Sequence, residues 1–421
     1  CAISGRQAVL LYIKIDDFDH LIERHGQTAA ETVVACSANR LAATLRTSDT
    51  IALVGDARFG VCTEPMRHLD LELCIQLAGR LQTALEDAIL VDGIGVYVSV
   101  SIGFCQQKNA PSGNPLEWSE AAAAALREAR RNGPAAIRAF SDQMRHKLKA
   151  RADLRDEVVR ALDQGQIKPW FQPQISTDTG MVSGFEALAR WSHPARGMIS
   201  PAEFLPAIEQ AGALERLAEV MTYHAMAALR TWDGAGISEP QVGVNFAGPE
   251  LSNPKLVDKL KWEFDRFGLT PDRLAVEVLE TVVANAPDDM ITHNINALSE
   301  LGCRIDLDDF GTGHASFASI RRFSINRIKI DRSFVMKADR DPKQQRLIGA
   351  ILTMAERLEV ETLAEGVETV GEHVLLAQLG CHHVQGFGIA RPMPFEQTLD
   401  WVQGHNDKLK QVPHVMNIKS R

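Results

Sequence analysis

Seven polar residues recur along the last two-thirds of the 421-residue chain, each in or beside a short apolar run: Glu186, Asn245, Glu277, Asp308, Asp309, Lys329 and Glu365. Glu277 follows Asn245 by 32 residues, Asp308 follows Glu277 by 31, and Glu365 follows Lys329 by 36. One strand-plus-helix unit of a (β/α)8 barrel averages about 31 residues. Acids recurring at that spacing on strand ends converge on one mouth of a barrel. A ring of carboxylates cannot stay ionised at close range without cations to neutralise it, and hard divalent ions take oxygen ligands. The chemistry this suggests is metal-assisted hydrolysis, in which two ions about 3.5–4 Å apart are a recurring arrangement for in-line attack on a phosphodiester.

The strands that would carry these groups can be read locally. Val242-Gly243-Val244-Asn245 ends in an amide. Leu274 to Glu280 alternates so that Glu277 faces away from Val276 and Val278. Arg304 to Asp309 ends in adjacent carboxylates, Ile328-Lys329-Ile330 sets a lysine between isoleucines, and Glu365 precedes Gly366. Any one of these acids alone is more often a helix cap or a solvated loop residue than a ligand. Asp309-Phe310-Gly311 alone suggests a protein kinase, but no catalytic HRD loop or glycine-rich strand precedes it. No Cys/His pair is spaced for zinc, and the oxygen-only set suits Mg²⁺ or Mn²⁺, with a second ion sharing Asp308 and adding Asp309 and Glu365.

From Ile167 onward, short apolar runs alternate with amphipathic segments such as Glu209–Trp232, Lys255–Phe267 and Gln344–Leu358, the signature of a parallel sheet or barrel. Ahead of it the pattern differs. Strands are expected at 8–15, 50–54, 58–63, 96–104 and 135–140, and helices at 19–46, 68–89 and 117–131, with Gln106–Asn114 as a turn. That order resembles a β-α-β-β-α-β sheet with helices on one side. Residues 141–162, rich in Arg, Lys, Leu and Ala, read as a connecting helix, either a solvated spacer or a transmitter of rotation. The expected organisation is an α+β, ferredoxin-like domain over 1–140, a helical linker over 141–160, an α/β barrel over 161–405 and a tail over 406–421.

The totals constrain the function class. A net charge of −9 argues against binding nucleic-acid polymers, although some of the acids would be metal ligands. Seven cysteines, odd in number and without a CxxC pair, suit a reducing cytosol. No stretch reaches the roughly 18 apolar residues of a membrane span. The chain opens on Cys1 and runs at once into a strand, so a longer protein with an upstream sensory or membrane region is expected.

Glu186-Ala187-Leu188 and Ala189-Arg190-Trp191 resemble the signature of the EAL family of bacterial cyclic di-GMP phosphodiesterases. The resemblance continues through Phe171-Gln172-Pro173-Gln174, Val244-Asn245, Glu277 to Glu280, Asp308 to Gly313, Lys329-Ile330-Asp331, Glu365 to Thr369 and Gln385-Gly386. It implies a TIM-like barrel that cleaves cyclic di-GMP to linear pGpG with two Mg²⁺ or Mn²⁺ ions, and a homodimer formed through the barrel. Glu186, Asn245, Glu277 and Asp308 would hold the first ion, and Asp308, Asp309 and Glu365 the second. Lys329 would hydrogen-bond the attacking water, and Glu280 would anchor the loop after Asp309. Gln172 and Arg190 would contact guanine and phosphate, with Asp331, Glu368 and Gln385 supporting the substrate side. Three positions depart from the family: Leu279 for a usual Thr, Ala247 for a usual Ser, and His314-Ala315-Ser316 for Tyr-Ser-Ser.

The first domain resembles the GGDEF, or diguanylate cyclase, family through Ile15 to Phe18, Gly55 to Phe59 and Ser101 to Phe104, in a broken form. Gly55-Asp56-Ala57-Arg58-Phe59 stands for Gly-Gly-Asp-Glu-Phe, Lys14 for a metal-binding Asp, and Ile22 for a guanine-contacting Asn. Two cations in place of two Mg²⁺ ligands should prevent condensation of GTP, leaving a regulatory domain. Arg46 and Asp49 match the family's RxxD product-binding site, or simply close the end of a helix. Two other readings of the whole chain compete with an active phosphodiesterase: a cyclic di-GMP receptor that does not cut its ligand, and an idle interaction scaffold.

Overall fold

The computed structural model describes residues 6–91, 93–112, 114–237, 240–284, 290–311 and 323–411. The departure at His314-Ala315-Ser316, the Thr312-Gly313 pair and most of the expected tail lie outside these residues. The chain forms two compact units, Cys1–Asp153 and Leu154–Arg421.

In the first unit, β1 (Val9–Ile15), β2 (Thr50–Gly55), β3 (Arg58–Cys62), β6 (Val100–Gln106) and β7 (Ile137–Ala139) form one sheet in the order β2-β3-β1-β6-β7. Alternate residues of β1 (Val9, Leu11, Ile13 and Ile15) are buried, as a sheet covered on one face requires. The expected helix 19–46 is two helices, Phe18–His25 and Gln27–Thr44, because Gly26 adopts φ 83° and breaks the ladder. The expected helix 68–89 stops at Thr83, and a small hairpin of β4 (Ile89–Val91) and β5 (Ile94–Val96) takes up what looked like the start of β6.

In the second unit β8 (Ile167–Ser176), β9 (Val182–His193), β11 (Gln241–Phe246), β12 (Leu274–Leu279), β13 (Arg304–Phe310), β14 (Arg327–Ile330), β15 (Glu361–Ala364) and β16 (His383–Val384) close into an eight-stranded barrel, and β10 (Gly197–Ile199) extends β9 at the rim. The barrel is TIM-like with one departure: β8 runs antiparallel to both its neighbours, β9 and β16. A tight hairpin joins β8 to β9, so no helix is needed there. The parallel strands are buried on both faces, and Val244, Val276, Val278, Ile305, Leu307, Ile328 and Ile330 join residues such as Leu229, Trp232, Leu260 and Ile348 of the surrounding helices in one core. The helix Asp142–Asp163 also contributes: Leu154, Val158, Ala161 and Leu162 pack with Trp191, Phe204 and Ile208.

Candidate functional site: a carboxylate ring closed on a lysine

Strand register assembles the site. Glu186 of β9 lies beside Gln172 of β8 and Gly243 of β11. Asn245 lies beside Glu277, and Leu279 beside Asp308. Strict alternation would send Asp308 and Asp309 to opposite faces. The β13–β14 register shifts between Leu307 and Phe310, and Asp309 adopts φ 55°, so both carboxylates reach one cluster with Glu365.

Lys329 of β14 is the centre of the ring. Fully buried, its Nζ donates to Glu277 Oε2 at 2.8 Å, lies 2.8 Å from Glu365 Oε1 and 3.1 Å from Asp308 Oδ1, and stands 3.5 Å from Glu186 Oε1. Burial alone would lower its pKa, but the four carboxylates outweigh this and hold it well above the ordinary lysine value. It is therefore an ammonium. The acids divide unequally around it. Burial opposes the Glu186 anion, yet Lys329, Gln385 and Asn245 together hold its pKa below normal. Burial and the nearby Glu186 charge push Glu277 well above the carboxylate range, and burial pushes Glu365 up to about 8 against the pull of Lys329. Asp309 is raised by burial and by Asp308.

One ammonium does not neutralise this many acids, and the site fits further cations on its own geometry. Glu277 Oε1 is buried with no hydrogen-bond partner. Glu186, Glu277 and Asp308 bring ligand oxygens within 4.8 Å of one another, and so do Asp308, Asp309 and Glu365. All are hard oxygen donors. Asn245 donates from Nδ2 to Glu186 Oε1 at 3.2 Å and Glu277 Oε2 at 3.1 Å, so a cation here would meet its amide oxygen rather than its nitrogen.

The room for Glu277 comes from Gly243: a Cβ there would lie 2.0 Å from Glu277 Oε1. Gly243→Ala is expected to displace Glu277 and weaken divalent-ion affinity by about tenfold or more, a shift of about 1.4 kcal/mol. Calorimetric titration with Mn²⁺ checks it, and wild-type affinity would mean the carboxylate has another place to go.

The ionisation pattern also sets a pH dependence. Glu365 ionises near its ordinary carboxylate pKa when unfolded and at about 8 when folded without ions. The folded state thus holds the extra proton between these values, and stability contributed by the protonated form is lost as pH rises through about 8. In chelator-treated protein the melting temperature should fall from about pH 5 to about pH 8. Divalent ions should flatten that slope. A flat profile in chelator would contradict the ionisation assigned to Glu365.

Around the ring, a relay of glutamines fixes Glu186. Gln174 Nε2 donates to Gln385 Oε1 at 2.9 Å, and Gln385 Nε2 donates to Glu186 Oε2 at 2.5 Å and Gln172 Oε1 at 3.2 Å. Gln172 in turn donates to the Ala390 carbonyl at 3.0 Å. Glu280 Oε2 accepts the Gly311 N–H at 2.9 Å and so ties down the segment after Asp309. Arg190 is half-buried and donates to the Ala189 carbonyl at 2.9 Å. Asp331 caps the helix Arg332–Val335 by accepting from Ser333 N at 2.9 Å.

Glu368 is not drawn into the ring; its side chain is exposed. The buried acid nearby is Glu372, in the first turn of the helix Val370–Gln378, which accepts the N–H groups of Lys337, Glu368 and Thr369 at 2.8–3.0 Å. Neither Gln174 nor Glu372 had been assigned a role from sequence. The signal for Glu372 was present, since Thr369 with Glu three positions on is a capping box.

In the first unit, Lys14 and Arg58 are cross-strand partners. Lys14 Nζ donates to the Asp56 carbonyl, and Arg58 Nη2 donates to the Val54 carbonyl at 3.1 Å. The Asp49 carboxylate accepts from Arg46 N at 3.1 Å and Glu64 N at 2.9 Å, so both its oxygens already bind backbone.

Comparison with known proteins agrees with this geometry. The EAL domain family model matches residues 155–392, and the diguanylate cyclase, GGDEF domain model matches residues 2–135. The bifunctional diguanylate cyclase/cyclic di-GMP phosphodiesterase MucR of Pseudomonas aeruginosa is 29% identical over 94% of this chain and 57% of its own length. The cyclic di-GMP phosphodiesterase NbdA of the same organism is 27% identical over 96% of this chain and 51% of its own. The chain thus spans about half the length of these relatives. Among solved structures, the MucR phosphodiesterase in complex with c-di-GMP is 33% identical, with a TM-score of 0.55 over 58% of this chain and 99% of that one.

Proposed function

Because this chain belongs to the EAL family, with a GGDEF domain ahead of its barrel, we propose that it hydrolyses cyclic di-GMP to linear pGpG. The observation that carries this reading is the buried Lys329 ammonium inside a ring of Glu186, Glu277, Asp308 and Glu365 at the C-terminal mouth of the barrel. Glu186, Asn245, Glu277 and Asp308 would hold one Mg²⁺ or Mn²⁺, and Asp308, Asp309 and Glu365 a second. Ions so held would polarise the phosphate and supply hydroxide at neutral pH.

The side chains do the rest. Lys329, as an ammonium, donates a hydrogen bond to the attacking water and offsets charge developing on the phosphate. The glutamines Gln172, Gln174 and Gln385 hold Glu186 in one orientation, and Arg190 and Gln172 lie on the substrate side. Glu280 sets the segment after Asp309. With Lys14 and Arg58 where cyclase ligands are needed, the GGDEF domain is regulatory and does not condense GTP. The protein works in the cytoplasm as a homodimer through its barrel.

The test is turnover of cyclic di-GMP with Mg²⁺ and then Mn²⁺, following pGpG by chromatography. Product is expected with either ion and none in chelator. Binding of cyclic di-GMP without product would instead make the protein a receptor.

A further inference from the structure

Where the first half of β8 meets the helix Leu214–Gly234 and the segment Pro394-Phe395-Glu396 lies a cavity of about 340 Å³. That is within the roughly 300–1,000 Å³ of small-molecule sites. No member of the carboxylate ring lines it. Pro169, Trp170, Pro394 and Phe395 give it an apolar and aromatic wall. Its charged residues are Lys168, Arg190 and a single acid, the exposed Glu396.

Strand register makes the two cations neighbours. Lys168 and Arg190 stand directly opposite in the antiparallel β8–β9 pair, on the same face as Gln172 and Glu186. Like charges so placed repel. Arg190 comes four residues after Glu186, about 13 Å along the strand, so the pair stands clear of the ring.

Nothing in the chain answers these charges. Among the described residues, five lysines and arginines of the second unit are buried or half-buried: Arg190, Arg273, Arg304, Arg327 and Lys329. Four are ion-paired: Arg273 with Asp233 at 2.9 Å, Arg304 with Glu361, Arg327 with Asp306, and Lys329 with the ring. Arg190 has no such partner among the described residues, and its hydrogen bond goes to the neutral Ala189 carbonyl. Burial works against its charge, with Glu186 the acid that offsets it. Half-buried cations are ordinarily paired, so an unpaired guanidinium lining a cavity beside a second cation points to a missing anion. His224 faces the same cavity from the helix, and burial and the Lys168 charge hold its pKa below the ordinary imidazole value. At neutral pH it offers a hydrogen bond without a further charge.

We infer that this cavity binds a nucleoside monophosphate, with its phosphate between Lys168 and Arg190 and its base against Trp170 and Phe395. The two cations carry two positive charges. A phosphate monoester at neutral pH carries about −1.5 to −2, whereas a carboxylate would answer only one of them. The guanidinium fork suits paired phosphate oxygens. Bases of any identity stack on aromatic rings, which is what the opposite wall supplies.

The experiment is calorimetric titration of the full chain with GMP in chelator, beside guanosine and inorganic phosphate. Without divalent ions the carboxylate ring repels a phosphate, so the result is independent of the hydrolytic reading. GMP should bind saturably at one site per chain, with guanosine and inorganic phosphate each at least about tenfold weaker. Lys168→Glu, at an exposed position that leaves the core intact, should weaken GMP by about tenfold or more, and so should Arg190→Gln. Lys168→Arg, which keeps the charge, should stay within about threefold of wild type. Absence of saturable binding, guanosine or inorganic phosphate binding as tightly as GMP, or an affinity unchanged in both Lys168→Glu and Arg190→Gln would each overturn the inference.

Discussion

Asp308→Ala is expected to reduce cyclic di-GMP hydrolysis by about 10³-fold or more, a barrier increase of about 4 kcal/mol. The size follows from position. Asp308 is the only residue common to the two oxygen clusters found among the described residues, so its loss cuts into both candidate cation sites at once. It also removes one of the four carboxylates around Lys329, at 3.1 Å. A loss confined to a single cluster, as in Asp309→Ala, should cost less. Measuring pGpG formation and Mn²⁺ affinity for the two variants side by side tests the ranking. If Asp309→Ala were the more damaging, Asp308 would not be the shared ligand. Asp308→Ala with near-normal turnover would overturn the ligand assignment altogether.

Much of this arrangement was legible in the sequence because the signals are local and strong. A polar residue set within or ending a run of valines and isoleucines, as at Asn245, Glu277 and Lys329, must face away from the helices that cover the barrel, and the only other side is the interior. The (β/α) spacing then sets which strand each group occupies. Features that depend on partners distant in sequence were not legible. The glutamine relay joins Gln174 to Gln385 across 211 residues, and nothing near either residue announces the other. The antiparallel course of β8 follows from its hairpin with β9, whereas a repeating β/α pattern suggests a uniform direction. Glu368 and Glu372 lie four residues apart, one before the helix Val370–Gln378 and one in its first turn, and only the fold decides that Glu372 is the buried one. In the first domain, the expected helix over 68–89 ends at Thr83, and Ile89 instead opens the hairpin β4–β5, in which Ile89, Val91 and Val96 lie in the core.

The second large effect is expected at Lys329. Lys329→Met keeps the length of the side chain and removes its charge, so it separates the two duties of the ammonium. In the presence of Mg²⁺ or Mn²⁺ the rate should fall by about 10² or more while cyclic di-GMP still binds, because a hydrogen bond to the attacking water is lost but the oxygen ligands remain. In chelator the variant should also be markedly less stable. The four buried acids of the ring would then face one another without their ammonium partner, and breaking a buried ion pair costs about 3–5 kcal/mol. Divalent ions should restore much of that stability without restoring the rate, since they neutralise the same acids but cannot make the hydrogen bond that Nζ supplies. Thermal melts of wild type and Lys329→Met, each with chelator and with Mn²⁺, provide the comparison. A stability gap that does not widen in chelator would mean that the lysine is not the ring's counter-charge, and a full rate in Mn²⁺ would mean that it takes no part in the chemistry.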